Sequence, residues 1–135
     1  MSFNRTIKSQ ITFLYYKDLA EPQRFYGEIM GFELVEDQGW AKIYRIGGNA
    51  FVGLVDESRG SRKVKEDSAV LLTLVVDDVP GWYEYLKEQG VKIVRELGQS
   101  DEIQVQYCFI EDPGGYMIEI ERFLKPELAA VFGHE

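Results

Sequence analysis

The sequence predicts an α+β fold built from two tandem βαβββ modules, on three observations. The order strand, aspartate, short helix, glycine, strand runs through residues 11–35 as ITFLYYKD, EPQRFYGEIM, Gly31 and FELV. It recurs through residues 71–94 as LLTLVVDD, PGWYEYLKEQ, Gly90 and VKIV. The spacing barely slips, since Gly31 follows Asp18 by thirteen positions and Gly90 follows Asp78 by twelve. The closing strands NAFVGLV and GYMIEIE also superimpose, setting Gly53 against Glu119. Two half-domains that each need cover for an apolar face imply a cleft, and clefts are where ligands bind.

Taken in order, residues 2–10 are polar and poorly patterned, and the first strand begins near Ile11. Ile11, Phe13 and Tyr15 alternate with Thr12, Leu14 and Tyr16, and both sets are largely apolar, so both faces of this strand are expected to be covered. Asp18 is placed to accept from free amides at the helix start, and Pro22 suits its first turn. Phe25 with Ile29 and Tyr26 with Met30 form i,i+4 pairs that give the helix an apolar face. Strands FELVED, WAKIYRI and AFVGLVD follow, joined by short turns at Gln38-Gly39 and Gly47-Gly48-Asn49, and are expected to pair as an antiparallel meander. Module one is thus 10–57. Residues 58–68, SRGSRKVKEDS, form a polar linker, with a cationic flap as the sharper alternative.

Module two, 69–124, repeats the plan. Asp78 is the expected cap, Pro80 lies in the first turn, Trp82, Tyr85 and Leu86 share a face, and Gly90 ends the helix. Strands VKIVREL, EIQVQYCFIE and YMIEIERF complete it, with Asp112-Pro113-Gly114-Gly115 as the last turn. The tail, 125–135, carries PELAAVF as a short helix.

Composition narrows the function. A chain of 135 residues with 45% apolar content is expected to be a single domain over 1–135 that buries a core without disulfides or metal. The one cysteine, Cys108, sits within a strand pattern and reads as a buried hydrophobe. A net charge of −8 argues against nucleic acid and anionic lipid and favours a cationic or neutral ligand. No stretch approaches the roughly eighteen apolar residues of a membrane span. The opening MSFNRTIKSQ lacks the apolar run of a signal peptide, so a cytoplasmic location is expected.

The duplicated plan, the helix starts KDLAEPQRFY and DDVPGWYEYL, and above all the segment Glu111-Asp112-Pro113-Gly114-Gly115-Tyr116-Met117-Ile118-Glu119 resemble the vicinal oxygen chelate superfamily. That group includes glyoxalase I, extradiol dioxygenases, methylmalonyl-CoA epimerase and the fosfomycin and bleomycin resistance proteins. The resemblance covers about residues 11–123. It implies a curved eight-stranded sheet with outer helices, a concave ligand cavity and, commonly, a homodimer. It also implies a divalent metal held by His and Glu from equivalent strands of both modules. In this sequence those positions fall on Ile11, Gly53, Leu71 and Glu119, and only Glu119 is a donor. Hard and borderline cations need three or more converging donors, so no metal and no other cofactor is expected. The one histidine, His134, stands in the tail.

By the period of two, Ile11, Phe13, Tyr15, Phe51, Leu71, Thr73 and Val75 are expected on the concave side with Met117 and Glu119. Trp40, Tyr44 and Tyr107 are added as aromatic lining. Buried there, Glu119 is expected to be protonated, paired (with Lys42, Tyr44, Gln104 or Tyr107) or awaiting a cation. The favoured function is metal-free binding of a small hydrophobic or cationic molecule, similar to the bleomycin-resistance branch. The alternative is a glyoxalase-type lyase, epimerase or dioxygenase whose divalent metal uses substitute ligands such as Glu119, Gln104 or Gln106. A weaker third is acid-base catalysis by Glu119 with a tyrosine.

Overall fold

In the computed structural model, residues 4–60, 62–65 and 68–133 are described; His134 lies outside them. The chain divides into two compact units, 1–65 and 66–135. The first contains β1 (Gln10–Tyr16), α1 (Ala20–Arg24) running on into a π-helical turn (Phe25–Ile29), β2 (Glu33–Asp37), β3 (Ala41–Gly47) and β4 (Ala50–Asp56). The second contains β5 (Leu71–Val75), α2 (Val79–Glu88), β6 (Lys92–Ser100), β7 (Val105–Glu111), β8 (Met117–Phe123) and α3 (Pro126–Phe132). The eight expected strands form two four-stranded sheets, one in each unit. Their orders match, β1-β4-β3-β2 and β5-β8-β7-β6. In each, the first strand runs parallel to the fourth, and the remaining pairs are antiparallel. The fold is α+β, and among the described residues no helix is long and apolar enough to cross a membrane.

The helix that follows the first strand of each unit is started by the expected aspartate. Asp18 Oδ1 accepts from the Ala20 amide at 2.8 Å and Asp78 Oδ1 from the Gly81 amide at 3.0 Å, filling donors that a helix N-terminus leaves open. Gly31 and Gly90 end them at φ +75° and +77°, a conformation other L-residues adopt at a cost. The first helix departs from the α pattern in its last turn, where the Met30 amide reaches the Phe25 carbonyl at 2.8 Å. In the second helix Val79, Tyr83 and Leu86 form the buried face. Trp82 and Tyr85 instead meet edge to face, with ring centroids 6.0 Å apart, beside the exposed flank, so the expected Trp82-Tyr85-Leu86 face is corrected.

In the second unit the face packed by α2 carries Leu74, Cys108, Ile110, Ile118 and Ile120, all buried. Burial pushes the Cys108 thiol up to about 11, so it stays protonated and inert. In the first unit the buried set is Leu14, Tyr16, Tyr44, Val52 and Leu54 with Phe25, Tyr26, Ile29 and Met30 from the helix.

Candidate ligand site on the second sheet

Strand β8 enters its sheet through the Asp112-Pro113-Gly114-Gly115 turn. The buried Asp112 side chain accepts from the amides of Gly114 at 2.8 Å and Tyr116 at 2.9 Å, and the Asp112 amide donates to the Tyr116 carbonyl. That lock sets the register of β8 between β5 and β7: Glu119 lies opposite Thr73 on one side and Phe109 on the other, and Glu121 lies opposite Val75 and Tyr107. Because side chains alternate, Leu71, Thr73, Val75, Met117, Glu119, Glu121, Tyr107 and Phe109 share the face turned away from α2.

On that face the Thr73 hydroxyl donates to Glu119 Oε1 at 3.1 Å. Glu121, only 7% exposed, is the second carboxyl. Burial first, then a hydrogen bond to Glu119 and the charge of Glu119, push Glu121 up to about 7. Glu121 therefore keeps its proton well above the ordinary carboxylate range, because an anion there would be poorly solvated and repelled by Glu119. Next to them Tyr107 and Phe109 meet edge to face at 5.8 Å, and the Arg95 guanidinium lies over both rings, 5.9 Å and 5.2 Å from their centroids.

Four of the sequence-derived site residues, Leu71, Thr73, Tyr107 and Glu119, are brought together here. Ile11, Phe13, Tyr15 and Phe51 share a face of the first sheet, where Arg45 covers Phe51 at 5.0 Å. Tyr44 is corrected: it pairs with Val52 on the opposite face, against the helix, where a Cβ on Gly27 would stand 3.3 Å from its ring. It borders a separate groove of about 450 Å³ with Gln23, Arg24, Leu34 and Lys42. Trp40 sits in the turn ahead of β3 with Arg59 over its ring at 5.7 Å, and does not join the Phe13 face. The partners expected for Glu119 are replaced by Thr73 and Glu121, and Lys42 is held by both oxygens of Asp37 at 2.9 Å. Gln106 lies on the α2 side of its strand opposite Arg122, and Gln104 lies in the turn before β7, so neither substitute ligand faces Glu119's side of the sheet.

Sequence reasoning missed Glu121 and Arg95. Glu121 was signalled by the alternation in MIEIE, which places it in phase with Glu119. Arg95 had no such signal, because β6 shifts register on both sides of it, between Ile93 and Arg95 and between Arg95 and Gly98.

Two sheets of this plan, each strand-helix-three-strand, define a glyoxalase-type α+β protein. The chain belongs to the glyoxalase/bleomycin resistance protein/dioxygenase superfamily, whose family model matches residues 8–120. It is 31% identical over 121 residues to a probable lactoylglutathione lyase of Vibrio parahaemolyticus, covering 81% of this chain and 86% of that protein. Among solved structures it resembles TioX from Micromonospora sp. ML1, with TM-score 0.72, 18% identity and 86% and 98% of the two chains covered. It also resembles a lactoylglutathione lyase from Agrobacterium tumefaciens, with TM-score 0.69, 20% identity and 88% and 94% covered. These structural likenesses carry the fold alone.

The family's divalent metal does not fit the residues present. In the first unit Ile11 is hydrocarbon, and a Cβ at Gly53 would collide with the ring of Phe13, which fills the space a ligand side chain would need. In the second unit Leu71 is hydrocarbon and Glu119 is tied to Thr73 and Glu121. Among the described residues no three His, Cys, Asp or Glu side chains group as a metal site, and the two carboxyls of Glu119 and Glu121 fall short of the three or more donors such ions take.

Proposed function

We propose that the protein binds a small hydrophobic or cationic organic molecule on the free face of the second sheet, without a metal. The observation that carries this is the Glu119-Glu121 pair set among Leu71, Val75, Met117, Tyr107 and Phe109. A ligand cation would favour the ionised form of Glu121 and meet the two neighbouring side chains of Glu119 and Glu121. The neighbouring rings would add stacking and cation-π contacts of about 0.5 to 2 kcal/mol each. The face of Ile11, Phe13, Tyr15 and Phe51 is assigned as a further apolar contact surface. Phe13 and Leu71, 45% and 48% exposed, are large apolar side chains left uncovered within one chain. Their exposure supports a homodimer, and a cytoplasmic setting is part of the same proposal. Calorimetric titration with benzylamine tests the site: binding that Glu119→Gln weakens by tenfold or more is expected, and benzylamine binding untouched by that change overturns it.

A second function, a metal-dependent lyase, epimerase or dioxygenase of the glyoxalase type, is favoured by one finding, the relative named probable lactoylglutathione lyase. Turnover of lactoylglutathione by the purified protein, lost on chelation and restored by Zn, Ni or Mn, would establish it over metal-free binding.

A further inference from the structure

We infer that the molecule recognised on this face is amphoteric, with a cationic group at Glu119 and Glu121 and an anionic group at Arg95, and that Arg95 is the residue that selects it. This rests on the binding function proposed above and adds the opposite end of the ligand.

The register supplies the layout. Thr73 on β5, Glu119 on β8, Phe109 on β7 and Arg95 on β6 are consecutive cross-strand partners, one row running the width of the sheet. Neighbouring strands stand roughly 4.8 Å apart, so the Glu119 and Arg95 backbones are on the order of 10 Å apart, with the ring of Phe109 between them. A rigid molecule whose charges lie about 6 to 9 Å apart would meet a carboxylate at one end, a guanidinium at the other and aromatic surface beneath.

Arg95 differs in its partners from the other arginine that covers a phenylalanine. Arg45, on β3 of the first unit, lies over Phe51, but its Nε is 3.2 Å from Glu33 Oε1 and its Nη1 donates to the Gly48 carbonyl at 2.8 Å. Arg95 keeps the aromatic support, and among the described residues no carboxylate pairs with it. Glu111, two residues along β7 from Phe109, is held by Lys92 at 3.0 Å. A guanidinium held over two rings retains its forked donors for a carboxylate or similar planar anion. Gly98 permits the arrangement, since even a Cβ there would stand 3.0 Å from the Tyr107 hydroxyl.

Three probes of one shape separate the charges: 4-(aminomethyl)benzoate, benzylamine and benzoate. Calorimetry or ligand-observed NMR at pH 7.5 is expected to show the amphoteric probe binding at least tenfold tighter than either singly charged one. Arg95→Gln should bring its affinity down to that of benzylamine while changing benzylamine itself less than twofold. Arg95→Lys, which keeps the charge and loses the planar fork, should fall between. An amphoteric probe no tighter than benzylamine, or an Arg95→Gln change that weakens both equally, overturns the inference while leaving the cation site standing. Failure of all three probes on the wild-type protein overturns both. Circular dichroism confirms that the variants are folded, and Arg95 is solvent-exposed, so its replacement leaves the core intact.

Discussion

Burial and the neighbouring Glu119 hold the Glu121 carboxyl protonated up to about pH 7, whereas in the unfolded chain it ionises near the ordinary 4.5. Below 4.5 both states carry the proton and the group's contribution is fully present. Between 4.5 and 7 only the unfolded state ionises, so stability is lost as pH rises through the folded value. Glu121→Gln keeps an amide that can donate to Glu119 and removes this penalty. It should stabilise the protein by about 1 to 2 kcal/mol at pH 8 and by almost nothing at pH 4. Urea unfolding at both pH values checks it, and an equal change at the two would contradict the assignment. The same linkage predicts that a bound amine, which favours the ionised Glu121, binds more tightly at pH 8 than at pH 6. At Gly53 the issue is space. Alanine there meets the Phe13 ring and should cost about 1 to 3 kcal/mol, the usual range for overpacking. Combining it with Phe13→Ala should recover most of that loss in thermal melts, and no recovery would mean that the ring is not the obstacle.

At the scale of elements, the sequence marks where structure starts and stops better than which way it faces. Asp18, Pro22, Gly31, Asp78, Pro80 and Gly90 all act through local chemistry, in hydrogen bonds to nearby amides or fixed backbone angles, and each stands where the local pattern places it. Facing depends on tertiary contact. Strand β3, AKIYRIG, is apolar on both sides, so alternation groups Tyr44 with Lys42 but cannot say that their side meets the helix. The contact between Gly27 and Tyr44 decides that. Trp82 and Tyr85 mislead in the same way, because α2 carries apolar residues on two stripes. The π turn at Phe25–Ile29 has no signal in i,i+4 pairs that fit an α-helix equally well. For the ligand face the critical element is the turn before β8. Asp112→Ala removes two side-chain hydrogen bonds from buried or partly buried amides and should destabilise by about 1 to 3 kcal/mol. It should also weaken benzylamine binding, because the register that sets Glu119 against Thr73 begins there. Unchanged binding in a folded Asp112→Ala protein would show that β8 is held by its neighbours alone.

Across the whole molecule, one plan has been used twice and its two free faces have diverged. In the first unit the strand positions that the family gives to a metal carry Ile11 and Gly53, the latter closed by Phe13, and the arginine over Phe51 is tied to Glu33. In the second unit Leu71 removes another donor, while Glu119 gains Thr73, Glu121 and, across the sheet, an Arg95 that pairs with no carboxylate among the described residues. Charge thus remains on the second sheet's face, where the proposed organic cation would meet it. The consequence is a contrast between two kinds of additive. Zn, Ni or Mn at tenfold excess should shift the melting temperature by less than about 1 °C, because a ligand stabilises only through preferential binding to the folded state. A bound amine at 100 times its dissociation constant should contribute about 2.7 kcal/mol, a rise of several degrees for a domain of this size. Glu119→Gln should abolish the amine's effect and leave the small metal response as it was. A metal shift of several degrees, lost in Glu119→Gln, would instead mean that Glu119 recruits donors from another chain, and the metal-dependent lyase would become the function to pursue.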